Sequence, residues 1–221
     1  MPRRPRQSTG GYIYHVLNRA AGDAPIFTKP SDYRTFEQVL EDSRRSVDVR
    51  VLAYCLMPDY WRLLLWPRRD GELSEFMRVA TVTHVQRWHA AHGTAGSGSL
   101  YRSRFKSFPV QKDRHLLSMC RYIESTAVRA KRVKKAEDWR WSSLWRRLNA
   151  GDEFTLTKLP ISLPRNWPSL VNRPLSEAEL EALEQSMTRD APFGAPSWKK
   201  TTAERLGLES TLRPRGRPRK S

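Results

Sequence analysis

Apolar and polar residues alternate along the first 150 positions in a way that predicts four strands with helices between them. Period-two alternation and β-branched runs predict strands at residues 11–19, 47–57, 61–67 and 100–110. Apolar residues at helical spacing predict helices that begin at Ser31, near Leu73 and at Asp113, and a short aromatic-rich element follows at residues 139–148. This order predicts an α+β fold: an antiparallel sheet with helices on one face, leaving the other face for a ligand.

The organisation of the chain changes after about residue 150, where prolines become frequent and no clear period remains. We divide the sequence into a basic arm at 1–10, a principal domain at 11–150, a Pro-rich extension at 151–210 and a basic tail at 211–221. Capping-box pairs at Ser176/Glu179 and Thr201/Glu204, with Gly207 as a stop signal, predict short helices in the extension.

The net charge of the sequence indicates the class of its binding partner. The sequence has 40 Lys+Arg against 23 Asp+Glu, a net charge of +17, and such an excess favours binding to phosphates through counterion release. No apolar run is long enough for a bilayer span, and the basic start lacks the apolar run of a secretory signal. We therefore expect DNA rather than a membrane as the partner, and a cytoplasmic, nucleoid-associated location in a bacterium. The oligomeric state, monomer or homodimer, is left open.

The two cysteines, Cys55 and Cys120, lie in apolar contexts, which is typical of buried free thiols in a reducing compartment. No cysteine or histidine spacing indicates a zinc site.

The tail contains a palindromic P-R-G-R-P core in which Arg215 and Arg217 flank Gly216. Prolines keep such a segment extended, and its two arginines can lie along a narrow A·T-rich minor groove. This tail resembles the AT-hook, and an unspecialised basic tail is the alternative.

A basic stripe is predicted on the strand LYRSRFKSF, where Arg102, Arg104 and Lys106 share one face and Tyr101 and Phe105 the other. Cations could contact phosphates while aromatic rings stack on unpaired bases. The alternative is a solvated basic face opposite core aromatics.

The helix RYIESTAVRA places Tyr122 among the cations Arg121, Arg129 and Lys131. Position 126 lies one turn further along the same face. A phenol in this setting could attack a phosphodiester, although a tyrosine on an amphipathic helix is more often a residue at the edge of the core.

Ordered blocks along the chain resemble the REP-associated tyrosine transposases, which belong to the single-domain HUH transposases. The blocks are YHVLNRA, IFTKPSDYRTFEQVL, AYCLMP, LLLWP, LSEFMR, RFKSFPVQKD, RYIE, VRA and WRWSSLWRRL, and they run from about Tyr12 to Leu148. The resemblance implies an RRM-like or ferredoxin-like antiparallel sheet. In the family, an H-x-H pair and a polar residue of the tyrosine helix hold a divalent metal at the scissile phosphate of single-stranded DNA. The helix tyrosine then attacks and forms a 5′-phosphotyrosine link.

This sequence departs from the family at all three ligand positions. The family motif MPNHWHLLL is MPDYWRLLL here, so that the histidines fall on Tyr60 and Arg62 and the preceding Asn on Asp59. The family helix motif YIExNPVRA is YIESTAVRA, which keeps the nucleophile position as Tyr122 but replaces Asn by Thr126. Neutral hydroxyls are poor Mg²⁺ ligands and a guanidinium repels the ion, so we expect no metal ligands in this chain.

Two interpretations remain. In the first, the protein binds single-stranded or hairpin (REP-like) DNA with impaired metal-dependent cleavage, and Arg62, Arg102, Arg104, Lys106, Arg121 and Arg129 contact the DNA. In the second, Tyr122 still nicks and joins strands, with Arg62 replacing the metal and Asp59 as a base, or with Mg²⁺ or Mn²⁺ bound after all. His15, on the first strand, is interpreted as structural. A protein-interaction role for the acidic helix at Glu177–Glu184 has the least support.

Overall fold

The central sheet has four antiparallel strands in the order β2-β3-β1-β4. A computed structural model describes residues 8–22, 25–94, 96, 98–149 and 156–213. The strands are β1 (Ile13–Arg19), β2 (Val49–Met57), β3 (Tyr60–Pro67) and β4 (Lys106–Val110). The helices are α1 (Pro30–Ser46), α2 (Glu72–His92), α3 (Arg114–Glu124), α4 (Thr126–Arg129), α5 (Ser143–Leu148), α6 (Trp167–Asn172), α7 (Glu177–Arg189), α8 (Pro196–Leu206) and α9 (Glu209–Leu212). The predicted α+β fold class is confirmed.

Helices α1 and α2 cover one face of the sheet. Their apolar residues recur at three- or four-residue spacing, as in Phe36 and Leu40 of α1 and Phe76 of α2, and all three are fully buried. They pack on alternate strand residues such as Tyr14 and Leu63. Burying each such side chain contributes about 1.5–3 kcal/mol, so this layer accounts for much of the stability of the domain.

The second face of the sheet is not left free, in contrast to our expectation. Helix α3 packs its apolar residues Leu116, Cys120 and Ile123 against Leu64 and Phe108. The physical reason is the amphipathic pattern of α3 itself, since an apolar helical stripe needs an apolar surface to bury. The end of this face near Arg62 opens into a cavity.

The C-terminal extension packs on the principal domain through α3. The buried carboxylate of Glu124 accepts hydrogen bonds from Trp167 Nε1 at 2.6 Å, Ser143 Oγ at 2.6 Å and Arg147 Nε at 3.1 Å. At the edge of the sheet, the backbone of Phe193 pairs with that of Val110 in a parallel bridge. The extension is therefore packed against the sheet and against the helix that carries Tyr122.

The strand predicted at residues 100–110 is shorter in the structure, because β4 begins only at Lys106. Lys106 pairs with Leu17 of β1, whereas Tyr101 pairs with Ala20 in an isolated bridge. From Leu17 to Ala20 the chain advances by three residues, whereas from Tyr101 to Lys106 it advances by five. The two extra residues in the second segment form a bulge. Arg102 and Arg104 lie on this bulge rather than on a strand face.

The chain termini are described only in part. Residues 8–10 of the predicted arm contact the β3–α2 connection, where Gly10 N donates to Asp70 Oδ1 at 2.8 Å. Residues 1–7, the boundary at 150–155 and the tail with Arg215 and Arg217 lie outside the described residues. Both cysteines are buried free thiols, as predicted. No helix within the described ranges is long and apolar enough to cross a bilayer.

Candidate functional site

The β2–β3 hairpin directs two of the substituted positions toward the α3 face of the sheet. Arg62 pairs with Cys55 on one side and Leu17 on the other, while Tyr60 pairs with Met57 and Arg19. Residues two apart on a strand share a face, so Tyr60 and Arg62 project to the same side. The connection between the strands is Pro58-Asp59, and β3 begins at Tyr60, one residue before the predicted start at residue 61.

Arg62 is a buried cation without a carboxylate partner among the described residues. Its exposure is 6%, and its Nη1 donates to His15 Nε2 at 3.3 Å and to the Met187 sulfur at 3.1 Å. Its Nε is buried and has no hydrogen-bond partner within the described part of the chain. Burial lowers the pKa of Arg62, yet a guanidinium keeps its charge in proteins. A buried charge in this state is costly, and an anion would relieve it.

His15 serves as a neutral partner of Arg62. Burial and the nearby positive charge of Arg62 lower the pKa of His15 well below its ordinary value, so the ring is uncharged at neutral pH. Because Arg62 can only donate, Nε2 of His15 must accept and its proton must reside on Nδ1. The ring also packs against Phe108 in a tilted arrangement, at a centroid distance of 4.8 Å.

Two guanidinium groups lie close to the ring of Tyr122. Its ring centroid is 5.0 Å from the Arg62 Cζ and 3.7 Å from the Arg129 Cζ. Arg129 also donates through Nη2 to the Tyr122 carbonyl at 2.6 Å. Both centroid distances are within the range of cation–π attraction, so the two guanidinium groups hold the ring in place. Only 4% of Tyr122 is exposed.

A cavity of about 730 Å³ opens beside this cluster. Its lining includes the cations Arg19, Arg62, Arg102 and Lys106, together with Tyr122. Glu184 and Met187 of α7 also contribute to the lining. Four cations around one cavity create a positive potential that suits an anionic ligand.

Sequence analysis missed the contributions of Arg19 and of α7. Arg19 could have been found from strand register, since it pairs with Tyr60 across β1 and β3 and its Cζ lies 5.1 Å from that ring centroid. Met187 carries no comparable signal, because 125 residues separate it from Arg62.

Not every predicted site residue reaches the cavity. Arg121 instead donates to the carbonyls of Leu170, Arg173 and Pro174 at 2.7–3.1 Å and holds the extension against α3. These bonds engage Arg121 with the extension, and Arg121 is not among the residues that line the cavity beside Tyr122.

Two further candidates lie beside other cavities. Arg104 lines a neighbouring groove next to α2. Asp59 is exposed on the hairpin turn and lines a third cavity with Arg132. The structure therefore does not bring Asp59, considered above as a base, to Tyr122.

The residues at the three ligand positions do not fit a divalent metal ion. Arg62 places a permanent positive charge there. Burial raises the pKa of Tyr60, so its phenol remains neutral, and the Thr126 hydroxyl donates to the Tyr122 carbonyl at 3.1 Å. Across the described residues, no group of three or more His, Cys, Asp and Glu side chains is arranged to hold a metal.

Comparison with solved structures shows the same fold in a known protein. A REP-associated tyrosine transposase bound to a REP hairpin superposes with a TM-score of 0.56 at 16% identity, covering 74% of this chain and all of that chain. A crystal structure described as a transposase from Deinococcus radiodurans R1 covers 59% of this chain and 92% of its own, at 16% identity and a TM-score of 0.40. None of the curated proteins matches the sequence.

The family model for IS200-like transposases matches residues 8–126, which is more than half of the chain and includes β1 to α3 with Tyr122. It covers the hairpin with Tyr60 and Arg62 and extends to Thr126. The family predicted from the ordered motifs is thereby confirmed. The chain belongs to the IS200-like transposases.

Proposed function

We propose that this chain is a transposase-derived DNA-binding protein that recognises single-stranded or hairpin DNA and is impaired in metal-dependent strand cleavage. The observation that carries the proposal is Arg62, a buried and uncompensated guanidinium at a position where the family resemblance implies a metal-ligating histidine. A phosphate group supplies the missing negative charge and accepts charge-assisted hydrogen bonds from the guanidinium.

In this proposal, one phosphate of the DNA enters the cavity and lies against Arg62. Arg19, Arg102 and Lys106 neutralise the neighbouring phosphates, since they line the same cavity. The solved relative bound to a REP hairpin supports hairpin DNA as the ligand class. Arg129 contacts the Tyr122 ring and its carbonyl and is itself exposed, so it can position Tyr122 and still donate to a phosphate.

The proposed loss of strand cleavage follows from the side chains that stand at the metal-ligand positions of the family. Without a metal, no Lewis acid withdraws charge from the scissile phosphate, a contribution worth several kcal/mol of transition-state stabilisation. A guanidinium offers electrostatic stabilisation only. Asp59 lines a different cavity from Tyr122, so this carboxylate is not placed to take the phenolic proton.

An active tyrosine transposase is the second candidate, favoured by the retention of Tyr122 at 5.0 Å from Arg62. In that reaction the tyrosine oxygen bonds to phosphorus and loses its proton to solvent. The bond from phosphorus to the 3′-oxygen breaks, and that oxygen leaves as a hydroxyl after taking up a proton.

The test compares the native protein with Arg62→Met and the matched control Arg34→Met, which removes an exposed charge on α1. The probes are labelled DNA hairpins with single-stranded flanks, including a REP hairpin, titrated by fluorescence anisotropy at several salt concentrations. Charge-assisted bonds are worth about 1.5–3 kcal/mol, so Arg62→Met should weaken binding by about 10- to 150-fold and Arg34→Met far less.

The same probes, incubated with Mg²⁺ or Mn²⁺ and separated on denaturing gels, should show no covalent protein–DNA adduct. Equal affinities of Arg62→Met and the native protein would refute the phosphate role of Arg62. An adduct that disappears in Tyr122→Phe would establish the active transposase instead.

A further inference from the structure

A second cavity adjoins the one beside Tyr122 and has a different character. It measures about 820 Å³ and lies between α2 and the bulge at Arg102 and Arg104. Apolar side chains contribute much of its lining, among them Met77, Val82 and Phe105. We call this second cavity the α2 groove.

The two cavities are adjacent. Asn18, Arg102 and Ser103 line both of them, so neighbouring parts of one ligand could lie on the two sides of Arg102. Asn18 is 5% exposed, and its Oδ1 accepts the Arg19 backbone N–H at 2.9 Å. This bond fixes a carboxamide group at the junction, where it can hydrogen-bond the edge of a planar polar ring.

Val82 shows that the α2 groove exposes apolar surface to solvent. It is 46% exposed, whereas the α2 residues that face the sheet, such as Leu73 and Phe76, are fully buried. Val82 therefore adds accessible apolar surface to a concave site that has cations at its rim.

The rim of the α2 groove is positively charged. Arg102 and Arg104 form no ion pair with the described residues, whereas the Arg78 guanidinium is 2.7 Å from Glu75. The groove matches the parts of one unpaired nucleotide. Its apolar floor suits the faces of the base, the carboxamide at one end suits the edge of the base, and the arginines at the rim suit the phosphate. The base has apolar faces and a polar edge, and its phosphate remains outside.

We propose that the α2 groove binds an unpaired nucleobase next to the nucleotide whose phosphate lies at Arg62. The proposal rests on the proposed DNA-binding function and adds a base-binding site on the α2 side of the sheet. A paired base cannot enter, because its faces are stacked and its edge is occupied. The groove therefore selects DNA with a single-stranded segment beside the bound phosphate.

The experiment uses the full chain and a DNA hairpin with a short single-stranded flank. In a series of otherwise identical probes, each flank base in turn is replaced by an abasic residue, which removes the base but keeps the phosphate. One flank position should lose affinity by about 5- to 150-fold, equivalent to the roughly 1–3 kcal/mol of one buried and stacked base.

The variant Val82→Glu places a carboxylate in the α2 groove at an exposed site, so the fold is retained. The matched control Ala90→Glu makes the same charge change at another exposed position of α2, outside the groove lining. Val82→Glu should abolish the sensitivity to the abasic residue, and Ala90→Glu should keep it.

Two results would overturn the base-binding site while leaving the proposed function intact. In the first, the affinity depends on Arg62 but no abasic replacement in the flank changes it. In the second, an abasic replacement lowers the affinity of Val82→Glu as much as that of the native protein. If the hairpin is not bound at all, or Arg62→Met binds as well as the native protein, the proposed function fails as well. A flank position that is sensitive in the native protein and in Ala90→Glu, but not in Val82→Glu, supports the site.

Discussion

At the scale of single residues, our proposal for Arg62 implies that it lowers the stability of the free protein and favours the binding of an anion. It is buried beside a neutral imidazole and a thioether, and its Nε has no partner in the described part of the chain. Desolvation of an unpaired charge costs free energy, which only a bound anion returns. Stability and ligand binding should therefore respond in opposite directions when this side chain is changed.

Arg62→Met tests that opposition in the absence of DNA. We expect the free energy of unfolding to rise by about 1 kcal/mol or more, because an apolar side chain of similar length replaces an unpaired buried charge. Urea denaturation followed by circular dichroism measures the change. Arg34→Met, at an exposed site on α1, should stay within about 0.5 kcal/mol of the native protein. A less stable Arg62→Met protein would contradict the interpretation of Arg62 as an uncompensated charge.

Restoring the family ligands is a second residue-scale prediction. The triple variant Tyr60→His, Arg62→His and Thr126→Asn should bind Mn²⁺ in calorimetric titrations, whereas the native protein should not. All three changes are needed, because Arg62 repels the ion and the Thr126 hydroxyl is bonded to the Tyr122 carbonyl. A Mn²⁺-dependent covalent adduct with hairpin DNA should then form.

Adding Tyr122→Phe to the triple variant provides the control, since it should keep metal binding and lose the adduct. Metal binding by Arg62→His alone, as tight as by the triple variant, would show that the other two positions are not ligands.

At the scale of elements, α3 holds the site together because it carries both Tyr122 and the anchor Glu124. The Glu124 carboxylate is fully buried and accepts hydrogen bonds from α5 and α6. The position of Tyr122 over the sheet thus depends on contacts with segments beyond the part of the chain that the family model matches. The extension acts as a structural part of the site.

Glu124→Ala should lower the free energy of unfolding by about 3–5 kcal/mol, because Arg147 loses its carboxylate and the Trp167 indole loses its acceptor. Thermal and urea denaturation measure the loss. Glu181→Ala, at an exposed position of α7, is the control and should change stability by less than about 0.5 kcal/mol. A similar small effect at both positions would mean that the extension does not depend on this anchor.

The elements that the sequence predicted well are those defined by local pattern. The hairpin from β2 to β3 and the Ser176 N-cap of α7 occur where they were predicted, and Gly207 ends α8 in the left-handed conformation at φ 63°. Helix α8 begins earlier than its predicted capping box, with Pro196 at its first turn. The predicted strand from residue 100 was interrupted because the bulge depends on pairing with β1, which the local pattern does not contain.

At the scale of the whole molecule, the net charge of +17 predicts that the affinity for DNA falls as the salt concentration rises. Binding of a single strand should weaken by about 0.7 log units per log unit of salt for each phosphate contacted. The basic tail adds a separate part of this charge, and Arg215 and Arg217 lie outside the described residues.

Truncation after Leu212 separates the tail from the cavity. We expect the truncated protein to lose affinity for A·T-rich duplex DNA and to keep most of its affinity for flanked hairpins, because the cations of the cavity are retained. Anisotropy titrations with both DNAs, and with a G·C-rich duplex as control, measure the difference. Unchanged A·T duplex affinity after truncation would refute the AT-hook interpretation.

The sequence by itself determined the family, the α+β sheet, and the identities of Tyr122, Tyr60, Arg62 and Thr126 at the family's functional positions. These follow from order and local spacing, which need no knowledge of distant contacts. Which side chains surround Arg62, by contrast, depends on segments that meet only in the folded chain, such as α7 with Glu184 and with Met187, which is 125 residues away. The same applies to Arg121. The charge pattern predicts that it contacts DNA, whereas in the folded chain it donates hydrogen bonds to the carbonyls of Leu170 and Pro174. Sequence fixes which charges exist, but burial and partners decide which of them remain available to a ligand.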